Sequence, residues 1–229
     1  MARTSERKRL SLNDWQLTLL TALLILIVFV FAPLQATGHF VFHAGVITVL
    51  LAIMAGMSMI SKSKTALVIM SIALLTNFAI YLERFFYAWP YNLHALAIAW
   101  LLIAATLGFV VLQAVFGPGY ITYHRIMGAV LVYLLIAVGF ACIFTFIGLS
   151  IDGAFKGIEF ADDRSLASKV FYLSFATLTT TGYGDIVPVH PWARSICNLE
   201  AVIGQLYPAT LLARLVTLEL GEQGRDSGS

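Results

Sequence analysis

Charged residues are scarce in this sequence. Asp, Glu, Lys and Arg together make up 11% of its 229 residues, whereas 60% are hydrophobic, and the mean hydropathy is +0.89. Because a typical soluble domain has about 25% charged residues, this shortage excludes an ordinary soluble globular fold. The composition predicts a protein whose surroundings are largely lipid.

Cysteine and an excess of one charge are also lacking. The formal net charge is only +2, and the basic residues form no long stripe, which argues against a nucleic-acid partner. Cys142 and Cys197 both lie in apolar runs, where we expect them to pack as small hydrophobic side chains. No nucleophile–base pair, metal-ligand triad or phosphate-binding loop stands out, so the sequence predicts neither an enzyme nor a cofactor.

Long apolar runs are what the sequence has instead. A helix that crosses a bilayer core of about 30 Å needs roughly 20 apolar residues. Six runs near that length predict an all-α membrane protein with six transmembrane helices, at 15–34, 40–60, 65–82, 93–116, 126–149 and 192–220. A shorter run at 166–178 reaches only about 20 Å as a helix, so it predicts a re-entrant segment.

Basic residues set the orientation of the predicted spans. Nine of the 14 Lys and Arg fall on the side of the N-terminus and five on the other, so both termini are expected in the cytoplasm. The first run is too long for a signal peptide and no cleavage site follows it. The expected parts are a basic N-terminus (1–14), a four-helix membrane module (15–120), a pore domain (121–220) and a short cytoplasmic tail (221–229).

The most informative stretch follows the short apolar run, where residues 177–185 read TLTTTGYGD. A cation can shed its water inside a membrane only where other oxygens replace that water. Glycines allow the backbone angles that turn successive carbonyls toward one axis, and four such loops coordinate K⁺ in a carbonyl filter. One chain supplies one loop, so a homotetramer is expected. The predicted K⁺ ligands belong to Thr180, Thr181, Gly182, Tyr183 and Gly184.

At this motif the sequence resembles the potassium channel family, in the branch of bacterial-type channels with one pore loop per subunit. The resemblance covers residues 126–220 and is carried by TLTTTGYGD, by Pro188 and by the later sequence LEAVIGQLYPATLLARLV. It implies passive, potassium-selective conduction in a prokaryotic plasma membrane, with K⁺ as the permeant ion. Thr181 stands where the family usually has valine, which keeps the carbonyl but changes the packing behind the filter.

Residues beside the loop are expected to support it. The run 166–178 would be the pore helix, with the partial negative charge of its C-terminal end directed toward the cation path. Thr177, at that end, is one supporting candidate. Asp185 is another, because its carboxylate can accept a hydrogen bond from the hydroxyl of Tyr172.

The last predicted span holds the candidates for a gate. Gly204 lies where the family often has a hinge glycine, and Pro208 removes a backbone hydrogen bond one turn later; the alternative is that Gly204 permits close packing and Pro208 is a static kink. Glu200, a carboxyl at membrane depth, is a candidate for gating or for a structural hydrogen bond. On the resemblance, Gln205 and Leu212 line the cavity.

Three functional alternatives remain open at this stage. The run 93–116 has no Lys or Arg, so it lacks the charges that a voltage sensor needs. Residues 15–120 are therefore interpreted as a degenerate sensor, a ligand-responsive module or a scaffold. Besides a potassium channel, Thr181 allows a weakly selective cation channel. A non-conducting regulatory subunit is the third reading. A transporter with broken helices is disfavoured, because only one half of the sequence has a re-entrant run.

Overall fold

The structure is a computed structural model that describes residues 17–37, 68, 71–72, 74–79, 92–116, 123–163 and 165–226. Five helices follow one another in these ranges. We number them α1 (Leu17–Ala36), α2 (Asn92–Phe116), α3 (Tyr123–Ser150), α4 (Leu166–Leu178) and α5 (Pro191–Asp226). The predicted span 40–60 lies outside the described residues, and of the span 65–82 the structure describes only residues 68, 71–72 and 74–79, which are helical.

Within the described part of the chain, four helices are long and apolar enough to cross a membrane: α1, α2, α3 and α5. The protein is therefore an α-helical, multi-pass membrane protein. Helix α4 has the bounds that its apolar run predicts. Helix α5 begins at Pro191, whose ring suits a first helical turn. Its backbone stays helical to Asp226, six residues beyond the predicted end, because helix length outside the bilayer is not limited by hydrocarbon thickness.

Helix α1 contains one irregular turn. Residues Ile27–Phe31 form a π-helical segment, in which the Ala32 N–H donates to the Ile27 carbonyl. Pro33 lies two residues after Phe31, the last residue of this segment. A proline ring clashes with the carbonyl four residues earlier, and a wider turn before it relieves that clash.

Helices α1, α2 and α3 share one hydrophobic core. Its fully buried members include Leu24, Leu107 and Leu131, one from each helix. The Thr21 hydroxyl lies 2.9 Å from the Met127 carbonyl of α3 and 2.7 Å from the Leu17 carbonyl of its own helix. Helices α1 and α2 thus pack directly on the first helix of the expected pore domain.

A second core joins α3, α4 and the start of α5 around Phe144, Val170 and Leu173. Both cysteines are buried as free thiols, Cys142 in the first core and Cys197 in the second. The loop before α4 enters this second core through Phe155, whose ring lies 5.6 Å from that of Phe144. This core fixes α4 between the two long helices that flank it in sequence.

A short antiparallel ladder was not predicted from the sequence. Strand β1 (Phe155–Lys156) pairs with strand β2 (Val187–Pro188), with Phe155 opposite Pro188 and Lys156 opposite Val187. The ladder connects the loop before α4 to the segment that follows TTTGYGD. The ladder thus holds the end of the α4–α5 loop that lies next to α5.

Candidate functional site

The loop between α4 and β2, residues 179–186, has an alternating backbone. Thr180, Gly182 and Gly184 have positive φ angles of 56°, 55° and 82°, whereas Thr181 and Tyr183 between them do not. Where left- and right-handed residues alternate, successive peptide groups can turn the same way. A row of carbonyl ligands for a cation requires a backbone of this kind.

Thr180 carries the strain of this arrangement. Among the described residues it is the one non-glycine residue with a positive φ, an unfavourable conformation for a β-branched side chain. Such strain persists only where surrounding contacts hold it, and it concentrates at functional sites.

Backbone hydrogen bonds to the end of α4 hold the loop. The Thr180 N–H donates to the Thr177 carbonyl at 2.9 Å. The Thr181 and Gly182 N–H groups both donate to the Ala176 carbonyl, at 2.8 and 3.1 Å. The loop therefore satisfies carbonyls that the helix end would leave free.

Threonine hydroxyls behind the loop are paired as well. The Thr181 hydroxyl lies 2.8 Å from the Thr179 hydroxyl, so the residue that replaces the usual valine has a polar partner. The Thr177 hydroxyl donates to the Leu173 carbonyl at 2.8 Å. Thr177 thus contacts the loop through its backbone carbonyl and not through its side chain.

Two tyrosines and one carboxylate meet at the outer end of the loop. The rings of Tyr172 and Tyr183 stack, with centroids 5.6 Å apart and planes 11° apart. The Tyr172 hydroxyl interacts electrostatically with the Asp185 carboxylate, and Asp185 Oδ1 accepts from the Ile186 N–H at 3.0 Å. The hydrogen bond between Tyr172 and Asp185 stays a prediction. These contacts connect the middle of α4 to Tyr183 and Asp185 of the GYGD stretch.

The loop before α4 contacts the residues around Asp185 and the segment that follows it. A Cβ atom on Gly157 would lie 2.0 Å from the Asp185 carbonyl oxygen, and Gly157 has a φ of +90°. The Val189 N–H donates to the Ala154 carbonyl at 2.8 Å, and the Arg194 guanidinium donates to the Pro188 carbonyl at 3.2 Å. Sequence reasoning missed Gly157 and Arg194. Asp185 is far from Gly157 along the chain, and the contact of Arg194 with Pro188 follows from no sequence pattern.

Gln205 approaches the inner end of the loop. Its side-chain Nε2 donates to the Thr180 hydroxyl at 2.8 Å. Leu212, the other predicted cavity residue, and Pro208 are exposed in the single chain. The structure thus brings Gln205 to the loop, whereas Leu212 lies about two turns further along α5.

Gly204 and Glu200 contact α4 one helical turn apart. A Cβ atom on Gly204 would lie 1.9 Å from the Leu178 carbonyl oxygen, so no larger residue fits there without a backbone shift. Glu200 is fully buried, and its Oε1 lies 2.5 Å from the Ser174 hydroxyl. Ser174 was not identified from the sequence, since a lone serine in an apolar helix has no distinguishing pattern.

The C-terminal half of α5 contacts the end of α2. The Arg214 guanidinium donates to the Phe116 carbonyl at 3.0 Å and lies 4.4 Å from the centroid of the Phe116 ring. Phe116 is the last residue of α2, so a cation sits at the negative end of that helix. From the sequence, Arg214 is one of the nine basic residues that are expected on the cytoplasmic side.

Residues 151–219 match the ion channel family. The match covers the loop, α4 and the spanning part of α5, and it supports passive ion conduction, not catalysis. Protein LctB of Bacillus caldotenax is 33% identical over 87 residues, which are 37% of this chain and 64% of that protein. The chain thus matches less than two thirds of the length of LctB. No solved structure matches the chain.

Proposed function

We propose that this chain is the subunit of a potassium-selective channel that conducts K⁺ passively through the backbone carbonyls of residues 180–184. The observation that carries the proposal is the alternation of φ at Thr180, Gly182 and Gly184. This alternation allows the loop's carbonyls to face one side, and the loop lies inside the region that matches ion channels. The backbone carbonyl of Thr177 and the side chains of Tyr172 and Asp185 belong to the proposed support of this loop.

The proposed working unit is a homotetramer in the plasma membrane, with six spans per subunit and both termini in the cytoplasm. One loop offers carbonyls from one side only, and complete replacement of an ion's water needs oxygens from all sides. Fourfold symmetry supplies them without another protein. The permeant K⁺ is the one ion that the site needs, and no cofactor is proposed.

The proposed gate lies in α5, around Gly204 and Pro208. Pro208 stands inside the helix and removes one backbone hydrogen bond, which favours bending there. The tight contact of Gly204 with the Leu178 carbonyl gives this glycine a packing role in addition to a hinge role. Gln205 and Leu212 then face the ion path on the cytoplasmic side of the filter.

The decisive experiment is the reversal potential of the purified protein in a planar bilayer, with potassium on one side and sodium on the other. We expect reversal near the potassium equilibrium potential. Gly184→Ala should abolish potassium conduction, because alanine is strained at a φ of +82°. Gly153→Ala is the matched control, since Gly153 also has a positive φ, +70°, and open space around it, but lies in the outer loop.

A weakly selective cation channel is the second candidate, and Thr181 is the observation that favours it. Its hydroxyl bonds to that of Thr179, an arrangement that valine cannot make. Reversal near zero with measurable current would establish this alternative, and Thr181→Val should then restore selectivity. Absence of current under all conditions, with intact protein, would contradict both candidates and favour a non-conducting subunit.

A further inference from the structure

Ser174 stands between two oxygen atoms that cannot both accept its single proton. Its Oγ lies 2.7 Å from the Ala137 carbonyl oxygen of α3 and 2.5 Å from Glu200 Oε1 of α5. Both distances are those of hydrogen bonds between oxygens. A serine hydroxyl carries one hydrogen, and a carbonyl carries none. Two hydrogen bonds therefore require that Glu200 bring a proton of its own.

The surroundings of Glu200 agree with a neutral acid. The side chain is fully buried in a membrane-spanning helix, and among the described residues its Oε2 has no hydrogen-bond partner. Among the residues that the structure describes, the titratable groups that interact with it electrostatically are Tyr133 of α3 and Cys197 of α5, and neither is a cation. A carboxylate there would be a buried charge without a counter-charge, which is far costlier than a buried acid.

We propose that Glu200 is held as the neutral carboxylic acid and acts as a positioning residue for the filter loop. The Glu200 carboxyl donates to the Ser174 hydroxyl, and the Ser174 hydroxyl donates to the Ala137 carbonyl. This chain of two hydrogen bonds ties α4 to α5 and to α3 at one point. The role in the loop rests on the proposed channel function, whereas the protonation state does not.

The position of the link explains its effect on the loop. Ser174 lies two residues before Ala176, whose carbonyl accepts from both Thr181 and Gly182. One turn further, Leu178 contacts Gly204. Two contacts spaced four residues apart on both helices thus fix the end of α4 from which the loop extends.

Infrared spectroscopy of the purified wild-type protein tests the protonation state without any ion current. We expect a carbonyl stretching band of a protonated carboxylic acid at neutral pH, absent in Glu200→Gln and retained in Glu159→Gln. Glu159 is the matched control because its side chain is exposed. A wild-type spectrum without such a band, or a band that persists in Glu200→Gln, would overturn the assignment.

Permeability ratios test the positioning role. Gln can donate to Ser174 as the acid does, so Glu200→Gln should keep the potassium-to-sodium permeability ratio within about twofold, whereas Glu200→Ala should lower it by about tenfold. An unchanged ratio in Glu200→Ala, or an equal loss in both variants, contradicts the role. If the wild-type protein conducts no potassium, the channel proposal fails while the infrared result still stands.

Discussion

The hydrogen bond between Gln205 and Thr180 joins α5 directly to the proposed ion ligands. The amide donates to the Thr180 hydroxyl and so holds that oxygen in one rotamer of a strained residue. In Gln205→Leu the hydroxyl is free to rotate, and the innermost cation site should bind less tightly. A lost hydrogen bond of about 1 kcal/mol corresponds to roughly fivefold in affinity. Block by barium from the cytoplasmic side measures it.

Gln113→Leu is the matched control for this prediction, because Gln113 is exposed on α2, far from the loop in sequence. It should leave barium block unchanged. Equal block in wild type and Gln205→Leu would show that the amide does not position the Thr180 hydroxyl.

Gly204 also makes a residue-scale prediction. Because its Cβ would lie 1.9 Å from the Leu178 carbonyl oxygen, Gly204→Ala should destabilise the protein by about 1–3 kcal/mol through overpacking. The thermal unfolding midpoint in detergent should fall. Gly108→Ala, in a helical position with open space around it, should not lower it. Altered gating at an unchanged midpoint would instead favour a pure hinge role.

At the scale of elements, apolar run length predicted the spanning helices and α4 well, because hydrocarbon thickness imposes it. It could not predict the ladder of β1 and β2, since two-residue strands show no periodicity. The proposed filter residues could be predicted because TTTGYGD is contiguous. Their supports, such as Gly157 and Ser174, were missed because they contact residues 26 to 28 positions away, and a single sequence carries no record of such pairs.

The contact of α5 with α2 gives an element-scale prediction. Arg214→Gln removes the guanidinium that caps the α2 terminus at the Phe116 carbonyl and stacks on the Phe116 ring. Amide hydrogen exchange should rise at the end of α2 and in residues 209–214, with little change in α4. Arg194→Gln is matched to it, since Arg194 also donates to a backbone carbonyl, that of Pro188. There the increase should appear beside β2. Unchanged exchange at α2 in Arg214→Gln would mean that the contact contributes little.

At the scale of the whole molecule, a single chain leaves α5 largely uncovered. Only 17% of the most apolar stretch of α5 is buried, against 56% in α3. Leu199, Val202 and Leu206 are each at least half exposed. Part of that surface would line an aqueous path and part would meet other subunits in the proposed tetramer. If subunits associate through α5 around one path, a single defective subunit is expected to stop conduction by the whole assembly.

Mixing wild-type and variant subunits tests how many subunits form one channel. If Gly184→Ala subunits abolish conduction, equal amounts of wild-type and variant chains should leave about one sixteenth of the wild-type current, the chance that four randomly drawn subunits are all wild type. A dimer would leave about one quarter, and independent subunits about one half. The inert Gly153→Ala variant, mixed in the same way, should leave the current whole. Because the three arrangements differ by factors of two to eight, the residual current separates a fourfold pore from every smaller assembly.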